Sequence, residues 1–276
     1  MEPNQRLWDE RVPIHVASDF YDVEGFLAGR CTLGALEREE VGPVEGRSLL
    51  HLQCHFGLDT LSWARRGARV TGLDFSSVGV QAARELAARG VNLAAARFVQ
   101  SEVTLAHEVV EPHDIVFTSW GVLGWLPDID AWARAAFACC RPGGLFYIAE
   151  IHPVAWLFEA TPCPYFGRGR RFTEQTESTY ADRSASLANT TEHFWCHTLG
   201  EILSALLSAG FVLEYVREHP FCCNDILPGM VKNDDGTWRQ PDGGVDIPLA
   251  FSVRAHRPNE AQTPPSPRRP PRTLQG

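Results

Sequence analysis

Residues 48–76 constrain the fold of this chain more than any other stretch. Ser48-Leu49-Leu50-His51-Leu52 is an apolar run of strand length. The five residues after it, Gln53 to Gly57, are too few for anything but a tight loop. Leu58, Leu61 and Ala64 then recur at helical spacing until Gly67 closes the pattern. Ala68 to Leu73 form a second apolar run, which ends in Asp74. A strand, a tight loop, a helix and a second strand tipped by a carboxylate make a nucleotide-type cradle. The loop brings backbone N–H groups to a ligand at the helix N-terminus, and the acid accepts hydrogen bonds from ribose hydroxyls. Asp74 follows the loop by about twenty residues, the separation this geometry needs. An acid at a strand end often serves only as a cap or turn former, but the loop and the alternation around it favour the ribose role.

The pattern continues through the middle of the chain. Ser76 or Ser77 caps a helix carrying Val80, Ala83 and Leu86 that stops at Gly90. Arg97 to Gln100 and Asp114 to Thr118 are the third and fourth strands, and a helix runs from about Asp130 to Cys140. The turn Arg141-Pro142-Gly143-Gly144 breaks it and leads into a fifth strand, Leu145 to Ile151. Thr198 and Glu201 form a capping box before the apolar stripe Leu199, Ile202, Leu203, Leu206 and Leu207, which Gly210 ends. Phe211 to Val216 begin a sixth strand and Ile247 to Val253 supply a seventh. Alternation of this kind predicts an α/β fold with a mostly parallel, seven-stranded sheet and helices on both faces.

The expected organisation is an N-terminal cap over residues 1–45 and a main domain over 46–256. That domain carries insertions at about 152–192 and 220–246, the first read as a substrate lid, since long loops inside a compact domain usually cover a site. Residues 257–276, with Pro264-Pro265 and Arg268-Arg269-Pro270-Pro271, read as an unpacked, polyproline-like tail. The formal net charge of -9 disfavours a nucleic-acid partner, because phosphate binding relies on a dense basic surface. No stretch approaches the roughly 18 apolar residues of a membrane helix, and the charged start lacks a signal-peptide core, so the chain reads as cytoplasmic and as a monomer or homodimer. The 8 cysteines match no zinc or disulfide spacing and read as free thiols; no metal site is expected.

HLQCHFGLDTLSWARRGARVTGLDFS resembles the first two motifs of the class I, Rossmann-like S-adenosylmethionine-dependent methyltransferases, and a bacterial small-molecule branch of them in particular. The family's first motif has an acid followed by three alternating glycines. Here His51 stands for the acid, Gln53 and His55 for the first two glycines, and only Gly57 matches. The resemblance covers roughly residues 45–150 and, more weakly, 195–256. It implies S-adenosylmethionine as cofactor, S-adenosylhomocysteine as product, and cofactor contacts from Gln53, His55, Gly57, Asp74, Phe75, Glu102 and Ser119. Thr118-Ser119-Trp120-Gly121 lacks the Asn/Asp-Pro-Pro-aromatic element of nucleobase methylases, which again points away from nucleic acid. A nicotinamide-dependent oxidoreductase shares the cradle but requires a glycine-rich turn that this loop lacks. A non-methylating cyclisation or rearrangement assisted by the bound cation remains an alternative.

The acceptor should lie beyond the carboxyl ends of the strands. Tyr21, Trp120, Trp156, Trp195 and Phe221 are the candidate substrate contacts, an aromatic supply that suits a planar or hydrophobic small molecule. Methyl transfer to a hydroxyl or protonated nitrogen needs a base, and His152, His193 and His197 are the candidates. In an extended segment His193, Trp195 and His197 would share one face.

Overall fold

The computed structural model describes residues 2–91, 93–158 and 163–259. Three helices precede the first strand: α1 (Glu2–Ala17), α2 (Val23–Leu27) and α3 (Ala35–Val41). Asp22, in the left-handed region at φ 45°, starts α2 by accepting the Gly25 N–H at 3.0 Å. There follow β1 (Ser48–Leu52), α4 (Leu58–Arg65), β2 (Arg69–Asp74), α5 (Ser77–Arg89) and β3 (Arg97–Gln100). The chain then forms α6 (Ala106–Val109), β4 (His113–Ser119), α7 (Ile129–Cys139) and β5 (Cys140–Ile151). The caps are the local ones the sequence carries. Ser76 Oγ accepts the Gly79 N–H at the start of α5, and Asp128 accepts the Ala131 N–H at the start of α7.

Beyond β5 come the hairpin β6 (Arg171–Gln175) and β7 (Thr191–Trp195), then α8 (Leu199–Ala209), whose Thr198–Glu201 capping box is complete. The strand β8 (Val212–His219), the short strands β9 (Phe221–Cys222), β10 (Val231–Lys232) and β11 (Trp238–Arg239), and β12 (Ala250–His256) complete the described fold. The seven-stranded sheet has the order β3-β2-β1-β4-β5-β12-β8. The strands from β3 to β5 pair parallel, and β12 runs antiparallel to both neighbours. Among the described residues no helix is long and apolar enough to cross a membrane.

Burial on both sheet faces explains why the central strands read as continuous apolar runs. Leu50, Leu52, Val116, Phe146 and Ile148 pack on Trp132 of α7 and Leu206 of α8. Their alternating neighbours Leu49, Ile115, Phe117 and Tyr147 pack on the other side with Trp63 of α4. This two-sided core fixes the carboxyl ends of β1, β2, β4 and β5 along one edge.

Four sequence expectations are adjusted. The fifth strand starts at Cys140 rather than Leu145, because Gly143 and Gly144 bond to Arg257 in the segment leaving β12. The seventh strand is displaced to Ala250–His256, where it inserts between β5 and β8. The 152–192 stretch contains the β6–β7 hairpin, and the 220–246 stretch a small three-stranded sheet, β10-β11-β9. Cys163 and Cys196 are joined as a disulfide, not free, because the insertion folds back onto the residue after β7; the other six cysteines are free. Of the tail, residues 260–276 lie outside the described residues.

The Trp132 ring is fully buried and meets Phe146 edge-on at a centroid distance of 5.8 Å. Trp132→Ala is expected to lower unfolding free energy by about 3–5 kcal/mol in urea denaturation, since the cavity cannot collapse between helix and sheet.

Candidate functional site

The loop after β1 is built from left-handed residues. Gln53 has φ 56°, His55 φ 52° and Gly57 φ 85°. These are the three positions where the resemblance expects glycines, so the backbone keeps the glycine conformation although two of the side chains are large. Gly57 itself admits no substitute, because an added Cβ would lie 2.7 Å from the Phe98 ring. The loop is stitched to β2 by the Cys54 N–H, which donates to the Leu73 carbonyl at 2.9 Å. The His55 N–H donates to Asp74 Oδ2 at 2.8 Å, and the Ser76 N–H to Oδ1 at 2.9 Å.

Burial pushes the Asp74 carboxyl up to about 6, although these backbone donors pull the other way. Asp59, in the first turn of α4, accepts from Thr32 Oγ1 at 2.5 Å and from Ser119 Oγ at 3.5 Å; burial raises it too. Glu37 of α3 accepts from Trp120 Nε1 at 2.7 Å and is likewise raised, chiefly by burial. Glu150, at the end of β5, holds the loop after β4. It accepts the N–H groups of Gly121 at 2.5 Å, Val122 at 2.8 Å and Leu123 at 3.1 Å, and its own neighbour Ile151 at 2.6 Å. Gln53 ties the two loops together by donating from Nε2 to the Val122 carbonyl at 3.1 Å. Its buried Oε1 has no partner among the described residues.

Two cavities adjoin at this edge. The first, of about 1110 Å³, is lined by the loop Gln53–Asp59, Asp74, Phe75, Ser119 and residues of α3. The second, of about 580 Å³, lies between the loop after β4 and the β6–β7 insertion, with Trp125, Trp156, Trp195 and Phe194 in its wall. Trp8, Phe20, Trp120, Gly121, Trp125 and Tyr180 belong to both walls. The buried carboxyls Glu37 and Asp74, with the half-buried Asp59, lie in the wall of the first cavity, a chemistry suited to a cationic, hydroxyl-bearing ligand. Among the described residues no cluster of three His, Cys, Asp or Glu is arranged to hold a metal ion.

Of the residues singled out from sequence, Gln53, His55, Gly57, Asp74, Phe75, Ser119, Tyr21 and Phe221 line the first cavity. Trp120 lines both, and Trp156, Trp195 and His197 line the second. Glu102 is exposed ahead of a single 3-10 turn and lines neither. His152 is buried away from both: its Nδ1 accepts the Val154 N–H and its Nε2 lies 3.0 Å from Glu218 Oε1. His193 also lies outside both walls. Its backbone N–H and carbonyl are held by Asn4, and its Nδ1 is 2.9 Å from Thr173 Oγ1. The expected shared face of His193, Trp195 and His197 is formed only in part: Trp195 and His197 line the second cavity, and His193 lies outside it. His197 Nε2 is 2.8 Å from the Leu126 carbonyl. A carbonyl only accepts, so Nε2 carries the hydrogen and Nδ1 is left as the acceptor. Burial lowers the His197 pKa and keeps the ring neutral.

Asp59, Glu150, Glu37 and Trp8 were not assigned from sequence. Asp59, two residues after Gly57, and Glu150, one residue before the end of the fifth apolar run, carried a positional signal. Glu37 and Trp8 did not, since their helices reach the site only through tertiary packing.

The fold and loop define a doubly wound nucleotide-binding domain with its site at the carboxyl edge of the sheet. Residues 50–146 match a family model described as a methyltransferase domain. The chain is 31% identical over 159 residues to a ubiquinone biosynthesis O-methyltransferase of Serratia proteamaculans, covering 54% of this chain and 64% of that one. The chain thus spans less than two thirds of that relative. An S-adenosylmethionine-dependent methyltransferase of Mesorhizobium loti superposes with a TM-score of 0.54 at 20% identity, covering 84% of this chain and 100% of that one. A glycopeptide N-methyltransferase complexed with S-adenosylhomocysteine superposes with a TM-score of 0.53 at 16% identity, over 83% and 90% of the two chains. At these identities the structural likeness is one of fold.

Glu150→Gln replaces an acceptor by an NH₂ group that must face backbone N–H donors. The variant is expected to lose about 1–3 kcal/mol of stability in urea denaturation. It should also lose near-ultraviolet circular dichroism from Trp120 and Trp125, whose loop is released.

Proposed function

We propose that this protein binds S-adenosylmethionine in the first cavity and methylates an oxygen or nitrogen of a small, aromatic or hydrophobic molecule held in the second. The observation that carries this reading is the junction of the two cavities at Trp120 and Gly121: a nucleotide cradle lies on one side and an aromatic chamber on the other. The residues present fit the cofactor. Asp74 is placed to accept ribose hydroxyls, Phe75 to cover the base, and the unpartnered Gln53 Oε1, with Asp59, to receive the amino-acid ammonium. When bound, the cofactor supplies a methyl group activated by a sulfonium, and S-adenosylhomocysteine is left. The O-methyltransferase relatives favour an oxygen of a small molecule as acceptor.

The protein's share of the chemistry is alignment, exclusion of water and removal of a proton. The tryptophans common to both walls confine a flat acceptor at the junction, where they also shut out solvent. His197 is the base. Its tautomer is fixed by Leu126, so Nδ1 takes the hydroxyl proton while Nε2–H stays on the carbonyl. His152, paired with Glu218, and His193, held on the hairpin by Asn4, support their own segments.

Calorimetric titration of the purified protein tests the first half. S-adenosylmethionine and S-adenosylhomocysteine are expected to bind and NADH not to; binding of NADH alone would overturn the reading. Only the Asp74 carboxylate accepts two hydroxyls, and its folded pKa is about 6, so protons compete with the cofactor below that pH. Affinity for S-adenosylhomocysteine should therefore be about tenfold weaker near pH 5 than near pH 8. Asp74→Asn should bind weakly with no such step. In the free protein the sign is reversed: burial of the charge makes stability fall as pH rises from about 4 to 6.

A panel of phenols, catechols and aromatic amines, read by a mass gain of one methyl group, tests the second half. With any acceptor so found, His197→Gln is expected to lower kcat by about 10²–10⁴-fold with little change in cofactor affinity. A variant with unchanged kcat would remove His197 as the base.

A further inference from the structure

The wall of the cofactor cavity and the wall of the acceptor cavity are joined by one buried histidine that lines neither. His15, near the end of α1, is fully buried. Its Nδ1 lies 2.8 Å from Nε2 of His55, in the loop after β1, and its Nε2 lies 2.5 Å from Oγ1 of Thr179, in the β6–β7 insertion. His55 lines the first cavity and Thr179 the second. Three separate segments, the N-terminal helix, the cofactor loop and the insertion, therefore meet in one hydrogen-bonded chain.

The packing around the chain limits it to this arrangement. Tyr21 stacks on His15 at 5.2 Å, Trp8 meets both imidazoles edge-on at 5.8 and 5.1 Å, and the Tyr21 and Tyr180 hydroxyls are 2.5 Å apart. Burial, reinforced by the Arg11 charge, brings His15 down to about 3 and His55 well below its ordinary value. Both rings are neutral, so a single hydrogen sits between them, and Thr179, which both donates and accepts, suits either direction of the chain.

His55 also occupies a left-handed backbone conformation that glycine adopts freely and histidine adopts at a cost. Its side chain must be held from outside the loop to keep the loop in shape, and His15 is what holds it.

We propose that His15 is a positioning residue that couples the two cavities: the His55–His15–Thr179 chain makes seating of the insertion over the acceptor chamber depend on the conformation of the cofactor loop. Because coupling between sites is reciprocal, whatever stabilises the loop stabilises the insertion, and an ordered insertion tightens the loop. This inference rests on the cofactor assignment above only for the effect of ligand; the link between loop and insertion is a property of the free chain.

The test is hydrogen–deuterium exchange over residues 174–182 of the full chain, alone and with S-adenosylhomocysteine. The wild-type protein is compared with His15→Leu, His55→Gly, Thr179→Val and the double variant His15→Leu/His55→Gly. In the wild type the segment should be protected, and further protected by S-adenosylhomocysteine. Each single variant should raise exchange there roughly tenfold and abolish the response to ligand. Each variant's S-adenosylhomocysteine affinity is measured beside it, so that the liganded exchange is compared at equal saturation. The double variant should be no worse than either parent, since both break one chain. Retained protection and ligand response in folded His55→Gly or Thr179→Val would overturn the proposal, as would additive effects in the double variant. If S-adenosylhomocysteine fails to bind the wild type, the cofactor reading falls, and the ligand-free comparison alone decides whether the tether exists.

Discussion

The Asp74 carboxylate holds the site in shape through two backbone hydrogen bonds. By accepting from His55 on one oxygen and from Ser76 on the other, it fixes the loop after β1 against the start of α5. The loop's left-handed residues carry strain of the kind that persists only where the surroundings over-determine it. Those surroundings are the parallel register of β1 with β2, which brings Leu52 opposite Leu73, and the Cys54 hydrogen bond one step further on. The sheet therefore does more than support the site. Its register decides where the N–H groups of the loop point and leaves the acid at the mouth of the cavity.

A second consequence is electrostatic. Asp59, Asp74, Glu37 and Glu150 are all raised by burial, so this edge of the sheet holds several carboxyls that water does not stabilise. Glu150 meets the demand internally with four backbone N–H groups, and its role is to shape the loop after β4. Asp59 and Asp74 have fewer donors and line the open cavity. The contrast separates a scaffold acid from two cavity-facing acids on one sheet edge.

How much of this was legible in sequence follows from which interactions are local. The helix starts at Ser76 and Thr198 and the stop at Gly210 are each written within four residues of the position they mark, and they appear as read. The apolar runs of β1, β2 and β4 are equally plain because two buried faces leave no alternation to confuse them. The placement of β12 between β5 and β8 is set by strand pairing at long range, and the β6–β7 hairpin hides in a polar stretch whose stacked pair, Phe172 and Phe194, is 22 residues apart in sequence. For the site, positions within the β1–α4–β2 unit could be assigned because their spacing is fixed by the unit itself. The histidines could not be ranked. His152, His193 and His197 are alike as residue types, and what separates them is a partner from elsewhere: Glu218, Asn4 and the Leu126 carbonyl. His15 carried no signal, since a histidine near the end of a helix reads as a cap until its neighbours are known.

Replacing two glycines of such a loop changes what the loop is attached to. Glycine reaches positive φ without strain and has no side chain to place, so a glycine-rich loop is held only by its backbone. Gln53 and His55 adopt the same backbone with side chains that must go somewhere, and both leave sideways into neighbouring elements. Gln53 reaches the Val122 carbonyl beyond β4, and His55 reaches His15 of α1. Each substitution adds strain locally and a tether laterally. The direction of those tethers is informative, because one runs to the loop that Glu150 anchors and the other to the segments that wall the second cavity. A loop that departs from the glycine pattern at two positions is in this fold the point where the cofactor cradle, the loop after β4 and the covering segments become one cooperative unit.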